Sequence, residues 1–386
     1  MKRNERMILY AVVLICLAIL GTSIFYVVRR DAKESQQAPT EISKNQDGDT
    51  DRDADRDEIP ATDGSMSEEA LADGQMTETT LLFTGDVLFA NSFANCYNRG
   101  GIEAVVSQDM LNAMTQADIT MVNEEFPFSS RGTKMEDKQY TFRADPSYVK
   151  ALTEMGVDIV SLANNHILDY GKEALSDTFA TLDAEGILYA GAGDSLERAK
   201  EVQLIEKNGK TFGFLAASRV IPVVDWNIEN GAPGVLATYD ETRLVEAIEE
   251  ARDQCDVLVV FVHWGVEHQS MPEAYQRSLA QSYVDAGADL VIGAHTHCLQ
   301  GIEFINGKPV FYSLGNFIFG TDISQTMAVQ VTVDEDNTLT CRLVGATASG
   351  GQTKVMSDVQ QRQLNSYVQG ISSGVTVEAD GTVREQ

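Results

Sequence analysis

Residues 257–267 read VLVVFVHWGVE, an uninterrupted apolar run that ends in a histidine. Residues 290–297, LVIGAHTH, repeat the arrangement with a shorter apolar run and two histidines. Between the two runs, residues 274–286 predict an amphipathic helix that ends at Gly287. Continuous apolar strands that alternate with helices are typical of a parallel or mixed sheet with helices on its faces.

The same alternation extends over most of the chain and predicts an α/β domain. Strands are predicted at 80–84, 119–122, 159–163, 202–206, 211–217, 257–262 and 290–292, with later strands of a second sheet at 310–314, 327–333 and 339–344. Asn208-Gly209 predicts a hairpin between two of them. Helices are predicted at 102–116, 146–154 (with Asp145 as its cap), 173–185, 241–254 and 274–286. The polar residues after Gly350 predict a short helix and a loose tail.

The amino-terminal residues have a different composition. Lys2, Arg3 and Arg6 precede an apolar run over 7–28, which has about the 20 residues that a helix needs to cross a membrane. No signal-peptide cleavage site is visible in or after the run. We predict a single-pass cell-membrane anchor over 1–30, with its amino end inside the cell and the large domain outside the cytoplasm.

The remaining chain divides by composition. Residues 31–78 are acidic and almost free of large apolar side chains, which predicts a disordered acidic linker. A metal-site domain over 79–350 and a C-terminal extension over 351–386 follow. The formal net charge of -29 disfavours nucleic acid as a partner. The cysteines show no spacing of a zinc finger or a dense disulfide framework.

Polar side chains gather where predicted strands end. The five histidines follow strand ends, as do Asp86, Glu125 and Asn165; the histidines are His166, His263, His268, His295 and His297. The carboxyl ends of parallel strands meet at one edge of a sheet, so these groups are expected to converge. Imidazole, carboxylate and amide oxygen are ligands of zinc, manganese and iron, and a carboxylate can bridge two ions. An extended segment would place His295 and His297 on the same side.

Simpler interpretations exist for several of these residues. Asp86 and Glu125 also suit turns after a strand, and Asn165 suits a helix cap. His268 fits a solvated loop as well as a site. Trp264 and Cys298 are interpreted as packed residues, and residues 313–317 as a structural turn in which Asn316 is a candidate substrate contact.

Six motifs appear in a fixed order along the chain. They are Gly85-Asp86, Asn123-Glu124-Glu125, Asn164-Asn165-His166, His263-Trp264-Gly265-Val266-Glu267, Gly293-Ala294-His295-Thr296-His297 and Ser313-Leu314-Gly315-Asn316-Phe317. Over about 79–347 the chain resembles the CapA (poly-γ-glutamate capsule synthesis) family. The fold of that family is similar to the calcineurin-like metallophosphatase sandwich, which has two mixed sheets flanked by helices.

The resemblance implies a role for each site residue and one or two divalent metal ions (Mn, Zn or Fe). Asp86 and His297 would bind the first ion, and Glu125 would bridge. Asn165, His263 and His295 would bind the second ion. His166 would be a catalytic general acid or a phosphate-contacting group, and Glu267 would orient a ligand histidine.

The chain departs from the wider phosphoesterase pattern on its first strand. That pattern has Asp-x-His, and this chain has Asp86-Val87-Leu88. Leucine cannot ligate, so the first ion is expected to be weakly held or absent. The bridging position carries Glu125 where an aspartate is usual.

Three functions are compatible with these residues. The first is a metal-dependent hydrolase that acts on a phosphoester-type bond in an envelope or capsule polymer or its lipid-linked precursor. The second is a non-hydrolytic accessory protein for synthesis or export of poly-γ-glutamate, and the third is a structural anchor with a vestigial site. Expected partners are the membrane, an anionic envelope polymer and capsule synthase subunits.

Overall fold

A computed structural model describes residues 78–386 of the chain. The predicted membrane anchor over 1–30 and nearly all of the predicted acidic linker over 31–78 lie outside these residues. No helix within 78–386 combines the length and the apolar character that a membrane span requires.

The described residues form a mixed α/β fold in which helices flank the sheets. In chain order the strands are β1 Thr79–Val87, β2 Ile119–Glu124, β3 Ile159–Ser161, β4 Leu188–Ala190, β5 Ala192–Gly193, β6 Gln203–Lys207, β7 Lys210–Ser218, β8 Gly234–Val235, β9 Val257–His263, β10 Leu290–Ala294, β11 Ile302–Ile305, β12 Lys308–Phe311, β13 Asn316–Ile318, β14 Ile323–Val333, β15 Leu339–Ser349, β16 Gln352–Val355, β17 Val375–Val377 and β18 Thr382–Glu385.

The helices lie mostly between consecutive strands. They are α1 Asn91–Gly100, α2 Gln108–Thr115, α3 Lys150–Glu154, α4 Gly171–Glu185, α5 Leu196–Ala199, α6 Thr242–Arg252, α7 Ala274–Ala286 and α8 Asp358–Ile371. As predicted, α4 ends at Gly186, whose left-handed backbone (φ 71°) suits glycine. The predicted cap at Asp145 is also confirmed, since its carboxylate accepts a hydrogen bond from Ser147 N at 2.9 Å. The element that it caps is a 3-10 turn, Pro146–Val149, and the α-helix expected over 146–154 begins only at Lys150.

The larger sheet has ten strands. Its main order is β17-β18-β15-β14-β1-β2-β3-β4, with β13 beside β1 and β16 beside β15. Strands β1 to β4 are parallel, whereas β14 and β15 are antiparallel neighbours. Residues 327–333 and 339–344 were expected in a second sheet, but they lie in this one because β14 pairs with β1.

The smaller sheet has six strands in the order β11-β12-β10-β9-β7-β6. Strands β7, β9, β10 and β12 are parallel, and β6 and β7 form the predicted hairpin at Asn208-Gly209. Both turn residues have positive φ (50° and 78°), as the common two-residue hairpin turns require.

Strand β9 is buried on both faces because it lies between two layers. Val257, Val259 and Phe261 belong to the core shared with the larger sheet. Leu258, Val260 and Val262 alternate with them and pack with the apolar faces of α6 and α7. The period of two places His263 on the same face as Phe261, toward the larger sheet.

Two further predictions are corrected. The helix expected over 102–116 is a short 3-10 turn, Ile102–Ala104, followed by α2, because Val106 instead bridges to Thr353. The tail expected to be loose is ordered: β17 and β18 pair with each other, and β18 pairs with β15. The prediction of a short terminal helix is confirmed as α8.

Candidate metal centre

The candidate centre lies where strands of both sheets end at a common edge. Asp86 lies near the end of β1, and Glu125 directly follows β2, which is parallel to β1. His263 is the last residue of β9, and His295 directly follows β10, again parallel to its neighbour. The convergence of these side chains follows from strand direction.

A first group of donors joins Glu125, His263 and His295, whose ligand atoms lie within 4.8 Å of one another. His263 Nε2 lies 3.4 Å from Glu125 Oε1 and 3.0 Å from His295 Nδ1. The amide oxygen of Asn165 lies 2.9 Å from the same nitrogen of His263. The structure thus brings together the four groups that the family resemblance assigned to the second ion and the bridge.

A second group joins Asp86, Glu125 and His297, also within 4.8 Å. His297 Nδ1 lies 3.6 Å from Asp86 Oδ2 and 2.8 Å from the amide oxygen of Asn316. Glu125 belongs to both groups and is the only residue that they share. It therefore occupies the position from which one carboxylate reaches both.

The electrostatics of the first group fit a divalent cation. Glu125 is completely buried, and neither of its side-chain oxygens has a hydrogen-bond partner. Burial, and then the charge of Asp86, raise its pKa well above the usual range. Burial also lowers the pKa of His263, and lowers that of His295 to about 4, so both imidazoles are neutral and offer a lone pair. A cation supplies what a buried, unpaired carboxylate lacks.

His297 differs from the other two histidines. Burial acts to lower its pKa, but the hydrogen bond and charge of Asp86 and the charge of Glu125 outweigh it and raise the pKa to about 9. Without a cation, a protonated His297 therefore balances the charge of the Asp86 carboxylate, which lies 3.6 Å from its Nδ1.

His295 and His297 do not lie on an extended segment, so that expectation is wrong. Both have left-handed backbones, with φ of 99° and 58°. Such conformations are uncommon for residues other than glycine and cost of order 1–3 kcal/mol each. The bend they create after β10 places one imidazole in each donor group.

Asparagine side chains contact the Asp86 carboxylate and the backbone beside Glu125. Asn123 donates to Asp86 Oδ1 at 2.8 Å. Asn164 donates to the carbonyl oxygen of Glu124 at 2.7 Å and accepts from the backbone N–H groups of His166 and Ile167. Both asparagines lie within the six motifs, but the family resemblance implied no role for either.

His166 lies at the edge of the centre in a small charged network. Its Nδ1 lies 2.7 Å from Asp169 Oδ2, and Lys138 Nζ lies 2.5 Å from the other carboxylate oxygen. Lys138 also donates to the carbonyl oxygen of Asn165. Asp169 follows His166 by three residues and could have been noticed in the sequence, whereas nothing in the sequence near Lys138 indicates this contact.

Other predicted residues lie outside the two donor groups. Glu267 is exposed, and within residues 78–386 it makes no hydrogen bond to a histidine. Instead, Asn123 contacts His263 and Asn316 contacts His297. His268 is exposed, with its ring 6.0 Å from that of His297. Leu88 and Trp264 are buried, and Cys298 is half-buried.

Comparison with known proteins identifies the family. The model of the family described as "Bacterial capsule synthesis protein PGA_cap" matches residues 80–321. The chain belongs to this family. The match covers the six motifs and confirms the resemblance predicted from them. Asp86, Glu125 and the other donors described above all lie within the residues that match the PGA_cap model.

Three relatives illustrate the relationship. The PGA biosynthesis protein CapA of Bacillus subtilis (strain 168) is 32% identical over 63% of this chain and 64% of its own length. The capsule biosynthesis protein CapA of Bacillus anthracis is 31% identical over 64% of this chain and 61% of its own. A probable polyglutamine synthesis accessory protein of Mycobacterium tuberculosis is 30% identical over 53% and 56%. The matched regions span less than two thirds of these curated relatives.

Proposed function

We propose that the chain is a CapA-like protein of poly-γ-glutamate capsule synthesis whose sheet edge binds one or two divalent cations (Mn, Zn or Fe) and hydrolyses a phosphoester-type bond in an envelope polymer or its precursor. The observation that carries the proposal is Glu125, a buried carboxylate without a hydrogen-bond partner that two groups of donors share. The names of the relatives support the biological setting.

The donors divide between two positions. Asn165, His263 and His295 would hold one ion, Asp86 and His297 the other, and Glu125 would contact both. A divalent cation bound here would lower the pKa of a water molecule and stabilise negative charge on the oxygens of a phosphoester. The finer fold assignment, a calcineurin-like metallophosphatase sandwich, belongs to the same proposal and is supported by the donors that both sheets contribute at one edge.

The chain's own residues supply the proton chemistry. His166 Nδ1 contacts the Asp169 carboxylate, which fixes the orientation of the imidazole and leaves Nε2 for the substrate. With Nδ1 donating to Asp169, Nε2 carries a proton only in the imidazolium form. Burial lowers the pKa of His166, so we assign to this form the transfer of the Nε2 proton to a leaving oxygen. Lys138 holds the other oxygen of Asp169 and so keeps the carboxylate in place.

A non-hydrolytic accessory role is the second candidate, and Leu88 favours it. Leu88 is buried and stands where the wider phosphoesterase pattern has a ligand histidine. The ion that Asp86 and His297 would hold therefore has one protein ligand fewer than in that pattern. A relative named as an accessory protein supports the same role. The centre would then bind a cation or polymer without turnover.

The setting at the cell envelope is part of the proposal. Residues 1–30 would anchor the chain in the cell membrane, with the metal-site domain outside the cytoplasm. Partners would be an anionic envelope polymer or precursor and membrane-bound capsule synthase subunits.

Metal analysis of the purified full chain in a nonionic detergent tests the centre. We expect bound manganese, zinc or iron in the wild type and its loss in His263→Ala, with His268→Ala as the matched control because His268 is exposed and outside both donor groups. A wild type without bound cation after incubation with each metal would reject the proposed centre.

Turnover separates the two candidate functions. The hydrolase predicts manganese- or zinc-stimulated cleavage of a phosphodiester by the wild type, at least about 100-fold slower in His166→Ala, as expected for loss of a general acid. Bound cation without stimulated cleavage would reject the hydrolase and favour the accessory role.

A further inference from the structure

Three neighbouring residues away from the metal centre present buried polar atoms that lack a hydrogen-bond partner outside their own group. Within residues 78–386 these atoms are Arg219 Nη1, Thr238 Oγ1 and the hydroxyl of Tyr283. Buried polar groups are nearly always paired, so three such atoms in one place indicate a ligand or ordered solvent that completes them. We call these residues the Arg219 pocket.

The fold brings the three together behind the strand that carries His263. Arg219 directly follows β7, and its backbone N–H donates to the carbonyl oxygen of His263 at 2.8 Å. Thr238 N donates to the carbonyl oxygen of Ser218, which places Thr238 beside the end of the same strand. Tyr283 lies on α7, whose apolar face covers the outer face of the smaller sheet. The pocket therefore lies on the opposite face of that sheet from the metal centre.

The guanidinium of Arg219 is held by aromatic rings, with no acidic partner. It lies 4.2 Å from the ring centre of Tyr239 and 5.4 Å from that of Tyr275. No ion pair within the described residues involves Arg219. Glu241 is near enough to Tyr283 to affect its pKa, but its carboxylate accepts a hydrogen bond from Ser282. Tyr239 is 56% exposed, so the pocket lies next to the protein surface.

The two hydroxyl groups remain neutral donors. Burial raises the pKa of Tyr283 strongly, whereas a hydrogen bond with the Thr238 hydroxyl and the charge of Arg219 act to lower it and are outweighed. The pocket thus combines one permanent positive charge with two neutral O–H groups. A carboxylate carries one negative charge and two acceptor oxygens, which match a guanidinium fork and adjacent hydroxyl groups.

We propose that Arg219, Thr238 and Tyr283 form a second binding site that takes a carboxylate of an anionic polymer. Arg219 supplies the charge and a fork of donors, and the hydroxyl groups of Thr238 and Tyr283 complete the site. The identification of the carboxylate with poly-γ-glutamate, which carries one per residue, rests on the proposed function. The site would hold one part of a polymer while another part reaches the metal centre around the sheet edge.

Calorimetric titration of the purified full chain with a short γ-linked glutamate oligomer, in buffer with EDTA, tests this site without a contribution from bound cations. We expect saturable binding to the wild type, weakened by about tenfold or more in Arg219→Gln because a hydrogen bond to a charged group is lost. Tyr283→Phe removes only the hydroxyl group, keeps the ring packing and should also weaken binding. It preserves the test if Arg219→Gln fails to fold.

Arg198→Gln is the matched control. Arg198 also lies over a tyrosine ring (Tyr189, 4.1 Å) and has an unpaired buried Nη1, but Glu201 lies 3.6 Å from its guanidinium. This variant should bind the oligomer as the wild type does. Equal affinity in Arg219→Gln and the wild type, an equal loss in Arg198→Gln, or no saturable binding to the wild type would each overturn the proposal.

Two further arms separate the ligand class and the two sites. Acetate should compete with the oligomer better than inorganic phosphate does, and the reverse order would reject a carboxylate site. His263→Ala should bind the oligomer normally in EDTA. Loss of binding there but not in Arg219→Gln would assign the carboxylate to the metal centre and reject the pocket. Metal content does not enter these measurements, so the proposed function can fail while the pocket stands.

Discussion

Glu124 and Glu125 are adjacent in sequence, yet only one belongs to the donor groups. Both are completely buried, and neither has a hydrogen-bond partner for its carboxylate oxygens. Glu125 lies beside His263, Asp86 and His297, whereas burial alone raises the pKa of Glu124 well above its usual range. Glu124 is therefore a carboxyl group whose charged form is disfavoured by folding.

The first prediction concerns the pH dependence that Glu124 causes. Because its folded pKa lies above its unfolded value, its stabilising effect is complete below the unfolded pKa and is lost as the pH rises through the folded pKa. The free energy of unfolding of the wild type should fall more steeply than that of Glu124→Gln above about pH 4.5, by up to about 1.4 kcal/mol per pH unit.

Urea denaturation at a series of pH values measures this difference. Glu249→Gln, which changes an exposed carboxylate of α6, is the control and should leave the slope unchanged. Parallel profiles for Glu124→Gln and the wild type would show that the buried carboxyl group does not titrate differently on folding.

Asp169 gives the second prediction at this scale. Its carboxylate has no exposed surface and pairs with Lys138, whose side chain is 13% exposed. Asp169→Asn would leave Lys138 buried without its counter-charge, so the free energy of unfolding should fall by about 3–5 kcal/mol. Asp177→Asn is the matched control: its partner Arg131 is 59% exposed, and loss of such a surface pair should lower the free energy of unfolding far less. Equal losses in the two variants would contradict this assignment.

At the scale of single elements, β9 shows how burial on two faces positions a functional residue. One face packs against the larger sheet and carries His263 at its end. The other face packs against α6 and α7, and Trp264, directly after the strand, lies near Tyr283 with a ring separation of 6.2 Å. The strand cannot slip by one residue without exchanging these faces, so its position holds His263 in place.

The third prediction follows from this packing. Val259→Ala and Val260→Ala should each lower the free energy of unfolding by about 1.5–3 kcal/mol, because each removes two fully buried methyl groups, on opposite faces of the strand. Val359→Ala, at an exposed position of α8, should change it by less than about 0.5 kcal/mol. Chemical denaturation compares the three, and a neutral effect of either strand variant would mean that one face of β9 is not a packed interface.

At the scale of the whole molecule, the C-terminal residues join the two sheets. Strand β18 pairs with β15 of the larger sheet, and Val375 and Val383 are buried there. Ser372 Oγ accepts a hydrogen bond from Ile302 N at 2.8 Å, and Ser373 N donates to the carbonyl oxygen of Ile302, which lies in β11 of the smaller sheet. The C-terminal residues therefore contribute to a single cooperative structure.

The fourth prediction is that deletion of residues 372–386 destabilises one edge of each sheet, at β15 in the larger sheet and at β11 in the smaller sheet. Hydrogen exchange should become faster in β15 and β11, which lose partners, because their edge hydrogen bonds open to solvent. Strand β4, at the opposite edge of the larger sheet, is the internal control and should exchange at its original rate. Unchanged exchange in β15 and β11 would show that this segment does not support the sheets.

The positions of the buried strands, the histidines and acids that follow them, and the six motifs of the family could all be predicted from the amino-acid sequence. These are local properties, because apolar runs, turn residues and glycine stops act over a few neighbouring residues. Only the folded structure shows that β14 joins the sheet of β1 and that Lys138 reaches Asp169. Each of these depends on contacts between residues far apart in the chain, where packing of whole layers selects one pairing among many that the local pattern permits.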